Sequence, residues 1–132
     1  MLRVGIAGYG VVGKRRRVFI DANENLKTIC VCDRTLPSRG KFSDGLPYVK
    51  HYRDLLKEEM DVLVVCLSND MAAEVTIAGL ERGLHVFCEK PPGQNVSDIA
   101  QVIKTEQKHL GQKLKYGFNH RYHDSVRDAL TI

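Results

Sequence analysis

The chain has 132 residues, of which 43% are hydrophobic and 27% charged, and 20 Lys and Arg stand against 16 Asp and Glu for a net charge of +4. This is the length of one domain or of a piece of something larger, and about two-thirds of the unfolded surface can be buried in a chain of this size. The balance excludes a disordered tail, a fibre and a coiled coil; the mild basic excess, with a pI near 8.9, suits an anionic ligand but does not imply nucleic acid without a reading motif.

No apolar run approaches the ~20 residues that span a bilayer, so no membrane partner is expected. The opening Met1-Leu2-Arg3-Val4-Gly5 lacks the long apolar stretch and cleavage site of a secretion signal. The four cysteines, Cys30, Cys32, Cys66 and Cys88, all fall in apolar, β-rich runs. They read as buried reduced thiols on strands, and the cytoplasm is the expected compartment.

In chain order, residues 2–7 read as a strand and residues 11–22 as a helix. Residues 28–32 form a second strand that ends at Asp33, and residues 36–45, with Pro37, Gly40 and Gly45, read as loop. Pro47-Tyr48-Val49 reads as a short strand, and residues 52–59 carry Leu55 and Leu56, with Met60 beyond them, at helical spacing. Residues 62–67 are apolar on both faces, the mark of a strand buried between helices in a parallel sheet. A helix capped by Asn69 or Asp70 should run through Glu81 and end at Gly83. Residues 84–88 form the next buried strand, Ser97 caps a helix to about His109 that Gly111 stops, and residues 113–118 form the last strand. The alternation predicts an α/β fold, a doubly wound parallel sheet of Rossmann type. Residues 124–130 look like the start of another helix, and its lack of a cap suggests a truncated polypeptide.

Gly8-Tyr9-Gly10-Val11-Val12-Gly13 matches G-x-G-x-x-G between a predicted strand and a predicted helix, the context in which that pattern is informative. The first glycine permits the tight turn, the second lets the backbone approach a pyrophosphate, and the third lets helix and strand pack closely. Asp33 stands 20 residues after Gly13, where a carboxylate accepts hydrogen bonds from the adenosine ribose. The bland alternative is a packing turn with a capping Asp. Asp33 should repel a 2′-phosphate and favour NAD, whereas Arg34 leaves NADP possible. Lys14-Arg15-Arg16-Arg17 is either a solvated helix face or a field for the cofactor phosphates, and its charge opposes the helix dipole.

Three strand ends deliver polar groups to one edge: Ser68-Asn69-Asp70, Glu89-Lys90-Pro91-Pro92 and Asn119-His120-Arg121-Tyr122. With the glycine loop, Leu67-Ser68-Asn69, His85-Val86-Phe87-Cys88-Glu89-Lys90-Pro91 and Tyr116-Gly117-Phe118-Asn119-His120-Arg121-Tyr122, nearly the whole chain resembles the glucose–fructose oxidoreductase / inositol dehydrogenase (Gfo/Idh/MocA) family. The resemblance implies an N-terminal Rossmann domain, here residues 1–120, with residues 121–132 leading toward an absent C-terminal α/β substrate domain. It implies hydride transfer between a nicotinamide cofactor, NAD or NADP, and a sugar or cyclitol hydroxyl or ketone. It puts Glu89 near the nicotinamide ribose, Lys90 by the reacting carbon and hydroxyl, Leu67, Ser68 and Asn69 along the cofactor cleft, and Asn119 close to the nicotinamide. Developing negative charge on the substrate oxygen gives an ammonium at Lys90 a catalytic use. Pro91 makes the preceding bond a candidate for the cis form.

His120 and Arg121 read either as a satisfied loop pair or as contacts to a polar or anionic substrate. His85 and His109 read as structural, His51 and His123 are open, and no metal-ligand spacing occurs. The chain departs from the family pattern where Ser68 and Asp124 replace a frequent Pro and Ala72 a frequent His. In the family the second catalytic group belongs to the C-terminal domain, so the chain alone is expected to turn over negligibly and to expose apolar surface. The full-length protein is expected to form a homo-oligomer. A non-catalytic dinucleotide sensor or regulatory module is the rival reading, and a pure sensor has no use for the lysine.

Overall fold

The opening apolar run forms β1 (Leu2–Ala7), which lies near the middle of a seven-stranded sheet. The computed structural model describes residues 1–131; Ile132, the end of the expected connecting segment, lies outside the described residues. After β1 come α1 (Val11–Asp21), β2 (Leu26–Cys32), β3 (Arg39–Lys41), β4 (Pro47–Val49), α2 (Tyr52–Leu55) and β5 (Val62–Val65). Then follow α3 (Asn69–Glu81), β6 (His85–Cys88), α4 (Val96–Lys108), β7 (Leu114–Tyr116), a 3-10 turn (Asn119–Tyr122) and α5 (Asp124–Ala129).

The strands lie in the order β3-β4-β2-β1-β5-β6-β7. All neighbours are parallel except β3 and β4. The chain winds outward from β1 through β2 and β4, then returns to β5 and winds the other way. That reversal opens a crevice beyond the carboxyl ends of β1 and β5, where ligands of doubly wound sheets bind.

The core fills both faces. Leu63, Val65, Val75, Leu80 and Val86 pack on the side of α2 and α3, and Val4, Ile6, Ile20, Val31 and Val64 on the side of α1. Helix α1 covers its face incompletely: Val18 and Phe19 are each 67% exposed, and Val62 and Phe87 are half-buried beside them. All four cysteines are free thiols, and burial pushes Cys30 up to about 11 and Cys32 and Cys66 up to about 12. Among the described residues no helix is long and apolar enough to cross a membrane.

The structure corrects several local expectations. The predicted loop over 36–45 contains β3, an antiparallel edge strand registered Arg39 to Val49 and Lys41 to Pro47. Its central Gly40 passes so close to the Tyr48 ring that a Cβ would fall 2.4 Å from the phenol oxygen, so this glycine marks close approach within a paired strand. The helix expected over 52–59 ends at Leu55. A continued helix would rotate Met60 about 140° away from Leu55. Both are buried, and a Cβ on Gly5 would lie 2.6 Å from the Met60 sulfur.

Helix α4 is capped by Asn95 rather than Ser97: its side-chain oxygen accepts from Asp98 N at 3.0 Å, and the Asp98 carboxylate accepts from Gln94 N at 2.8 Å. Ser68, not Asn69 or Asp70, is the N-cap of α3. Strand β5 stops at Val65, which leaves Cys66 just outside the sheet, although its N–H still donates to Ala7 O at 2.7 Å. Strand β7 is likewise shorter than expected, ending at Tyr116.

At the opposite edge, Arg3 and Asp61 join the starts of β1 and β5. Arg3 Nε and Nη2 each donate to the Asp61 carboxylate at 3.1 Å, and Arg3 N donates to it at 2.8 Å. The Arg3 guanidinium and N–H hold that carboxyl down at about 2, against about 3.9 when unfolded. The native state therefore binds fewer protons, so this stabilisation is full above about pH 4 and is lost as pH falls toward about 2. Denaturation midpoints measured across this range should fall with acid in the wild type, and the slope should be shallower in Asp61→Asn; identical slopes would remove Asp61 as a cause.

Candidate dinucleotide site

Three glycines at the end of β1 have three different constraints. Gly8 has φ +91, its N–H donates to Cys32 O at 2.9 Å, and a Cβ there would lie 2.3 Å from Cys66 O. A Cβ on Gly13 would lie 2.0 Å from Gly8 O, so α1 sits against the turn only because that position is bare. Gly10 is different: it has extended backbone at the N-cap of α1, and a Cβ would meet no atom of the described residues within 4 Å. Nothing in the chain itself requires glycine at 10, whereas a group resting on the backbone from outside would. No side chain caps α1 and its first turn holds no acidic residue, so its leading N–H groups and the positive end of its dipole face that space. These residues fit a dinucleotide diphosphate.

Asp33 follows β2 directly. One carboxylate oxygen accepts from Tyr9 N at 2.9 Å, and the other from Thr35 N at 3.0 Å and the Thr35 hydroxyl at 2.7 Å. Partial burial raises this carboxyl, but those donors and the charge of Arg34 outweigh it and hold it below the usual range. A cavity of about 420 Å³ opens beside it, lined by Gly8, Gly10, Asp33, Arg34, Leu67 and Ser68 among others. Lys50 and His51 also line it, a contribution the sequence reading did not assign. The available signal was position: both follow the carboxyl end of β4, as Asp33 follows β2.

The remaining expected site residues gather on the other side of β1. Glu89 N donates to Val65 O at 2.9 Å, and the Glu89 side chain is 11% exposed against Gly117, where a Cβ would lie 2.7 Å from its carboxylate. Arg16 reaches over from α1 to pair with that carboxylate, and its Nη2 lies 3.4 Å from Asn119 Oδ1. Its guanidinium also lies 5.0 Å from the Phe87 ring centroid. Arg17 donates to the Tyr9 hydroxyl at 2.9 Å, to Asp44 at 2.7 Å and to Asp21 at 3.1 Å. The basic run is therefore not simply a solvated face: two of its four residues tie the glycine loop and α1 to surrounding carboxylates. The spacing from Arg17 to Asp21 is legible as a helical i,i+4 pair; the contact from Arg16 to Glu89 crosses 73 positions and is not.

Lys90, Ser68, Asn69 and Asn119 are exposed on the same sheet edge, and the Lys90–Pro91 bond is cis. His120 and Arg121 turn toward their own segment: His120 stacks on His123 at 4.9 Å and Arg121 lies 5.8 Å from the Tyr122 ring. His85 has the structural role expected of it, accepting from Lys113 N at 3.0 Å. Among the described residues no group of three His, Cys, Asp or Glu side chains could hold a metal ion.

Residues 2–118 match the family described as "Oxidoreductase family, NAD-binding Rossmann fold", Gfo/Idh/MocA. The chain is 30% identical over 127 residues to inositol 2-dehydrogenase of Salmonella typhimurium, covering 92% of this chain and 38% of that protein. It is 33% identical over 126 residues to D-glucoside 3-dehydrogenase of Escherichia coli, covering 92% and 36%. Its fold superposes on myo-inositol 2-dehydrogenase from Lactobacillus plantarum with a TM-score of 0.84 at 27% identity, covering 99% of this chain and 40% of that one. The chain thus spans about two-fifths of the length of these relatives.

The glycines separate binding from packing. Gly10→Ala should change stability by no more than about 0.5 kcal/mol yet weaken dinucleotide binding at least about tenfold, which is about 1.4 kcal/mol. Gly13→Ala should instead lower the unfolding midpoint, because backbone must move to admit the methyl. Equal dinucleotide affinity in Gly10→Ala and wild type, read by NADH fluorescence, would exclude the diphosphate from this turn.

Proposed function

Because the chain belongs to the Gfo/Idh/MocA oxidoreductase family with its NAD-binding Rossmann fold, we propose that it is the cofactor-binding part of a dehydrogenase. Its reaction moves a hydride between a nicotinamide dinucleotide and a hydroxyl or ketone carbon of a sugar or cyclitol. The open space above Gly10, between Asp33 on one side and Glu89 and Asn119 on the other, carries this reading. The inositol and glucoside dehydrogenases among its relatives support the polyol substrate class. Residues 1–120 act as the dinucleotide-binding domain and residues 121–132 lead out of it.

In this reading each element of the sheet edge has one task. The bound nicotinamide supplies a site that accepts or gives up hydride. The amides of Gly10, Val11, Val12 and Gly13 and the dipole of α1 hold the diphosphate, with Gly8 and Tyr9 shaping the turn. Asp33 accepts from the adenosine ribose; each carboxylate oxygen has more than one lone-pair direction, so the bonds from Tyr9 and Thr35 do not exhaust it. Arg34 covers the adenine side. Leu67, Ser68 and Asn69 wall the cleft, and Glu89 and Asn119 bound the nicotinamide half. Lys90 presents its ammonium to the substrate oxygen, where charge grows as the hydroxyl proton leaves, so its attraction is stronger in the transition state than in the ground state. His120 and Arg121 contact the substrate once the rest of the pocket is present. A lysine in that position favours an enzyme over a dinucleotide sensor.

The charge on Asp33 makes NAD the preferred cofactor, since a 2′-phosphate would meet an anion already held by the protein's own N–H groups. With its carboxyl below the usual range, this preference persists down to about pH 4, near the ordinary carboxylate value. Titration should give NADH binding at least about tenfold tighter than NADPH binding, about 1.4 kcal/mol of preference, and Asp33→Ser should narrow the gap. Failure of the chain to bind either dinucleotide would overturn the reading. In a longer chain carrying the C-terminal half, Lys90→Ala should slow turnover by about 100-fold while leaving NADH affinity within about twofold, about 0.4 kcal/mol. An undiminished rate would remove Lys90 from the chemistry.

A further inference from the structure

We infer that Arg16 is a charge-balancing positioning residue that sets the relative affinity of the site for oxidised and reduced dinucleotide, an inference that rests on the cofactor reading above. Arg16 is on the helix that opens the diphosphate cradle, one turn beyond the glycines, yet its guanidinium pairs with Glu89 at the end of β6 and reaches Asn119 after β7 at 3.4 Å. The side chains are 27% and 11% exposed, and the flat face of Phe87 lies 5.0 Å from the guanidinium carbon. Charges withdrawn this far from water are weakly screened, so removing either one leaves a local field that solvent does not erase.

The topology says which half of the ligand feels that field. Asp33, at the end of β2, anchors the adenosine side, and the diphosphate lies at β1. An extended dinucleotide therefore continues over β5 and β6, and β6 is two strands from β1, roughly 10 Å at the usual strand spacing. The Arg16–Glu89 pair thus faces the nicotinamide half. The nicotinamide ring has a unit positive charge when oxidised and none when reduced. A bare carboxylate at Glu89 favours the oxidised form and a bare guanidinium at Arg16 the reduced form; as a pair they nearly cancel. The neighbouring Lys90 charge is common to every variant and drops out of the comparison.

A clamp that only held α1 to β6 would affect both cofactor forms alike when broken, and this makes the ratio the informative measurement. Affinities of this chain for NADH, by fluorescence titration, and for NAD⁺, by its displacement, should be measured in wild type, Arg16→Gln, Arg16→Lys and Glu89→Gln. Arg16→Gln should move the ratio of the two dissociation constants about tenfold toward NAD⁺, about 1.4 kcal/mol. Glu89→Gln should move it in the opposite direction, and Arg16→Lys should retain the wild-type ratio. Glu89→Gln, nearly the same shape, carries the test alone if thermal unfolding shows that Arg16→Gln is not folded. Unchanged ratios in the folded variants, or shifts in the same direction for both losses of charge, would overturn the inference while leaving the cofactor reading intact. Wild-type chain that binds neither form would overturn the cofactor reading, and this inference with it.

Discussion

The contact between Gly13 and the carbonyl of Gly8 sets the geometry on which the rest depends. A side chain at 13 would intrude to 2.0 Å of that oxygen, so the absence of a single carbon lets α1 start directly above the end of β1. Gly8, at φ +91, turns the chain tightly enough to make the approach possible and hands its N–H to the end of β2. The consequence is electrostatic: a row of unpaired helix N–H groups is held at the reversal point of the sheet, facing space that Gly10 leaves open. Two glycines are explained by the protein's own packing, and the third borders open space.

Holding that helix end in place raises a second difficulty. Four basic residues in the first two turns of α1 oppose its dipole. Two of them are balanced by partners from elsewhere in the fold: Arg16 by Glu89, and Arg17 by Asp44 as well as by Asp21 on its own helix. These pairs tie the helix to β6 and to the segment before β4. The same cations therefore join elements of the sheet edge while their partners offset part of the positive charge around the start of α1. The Arg17 pairs, whose carboxylates are more exposed than Glu89, contribute little to stability individually, so their value lies in where they hold the groups.

Much of the architecture was legible from local patterns. Strand and helix alternation, the two-faced apolar run at 62–65, and Gly83 with φ +81 after α3 all express local geometry that neighbouring residues enforce. Residues near sheet edges and short turns were less legible. Nothing near Arg39 reveals that it pairs with Val49, and helical spacing around Leu55 does not reveal that Met60 is drawn under Gly5 instead of continuing the helix. Asn95 and Ser97 are both good caps in isolation, and the bonds from Asp98 N to Asn95 and from Gln94 N to the Asp98 carboxylate chose between them.

Local pattern alone shows the alternation of strand and helix, the glycine spacing at residues 8–13, the carboxylate that follows β2 and the polar groups that follow β5, β6 and β7. Each is a pattern of residue types read within a few positions, although the contacts that require glycine at 8, with Cys32 and Cys66, come from distant strands. The pairing of Glu89 with Arg16, the place of Lys50 and His51 beside the Asp33 cavity and the hold of Arg3 on Asp61 exist only in the folded chain. Those contacts join side chains across the sheet edge or between distant strands. Their energies depend on distance and burial in three dimensions, which the order of residues along the chain does not encode locally.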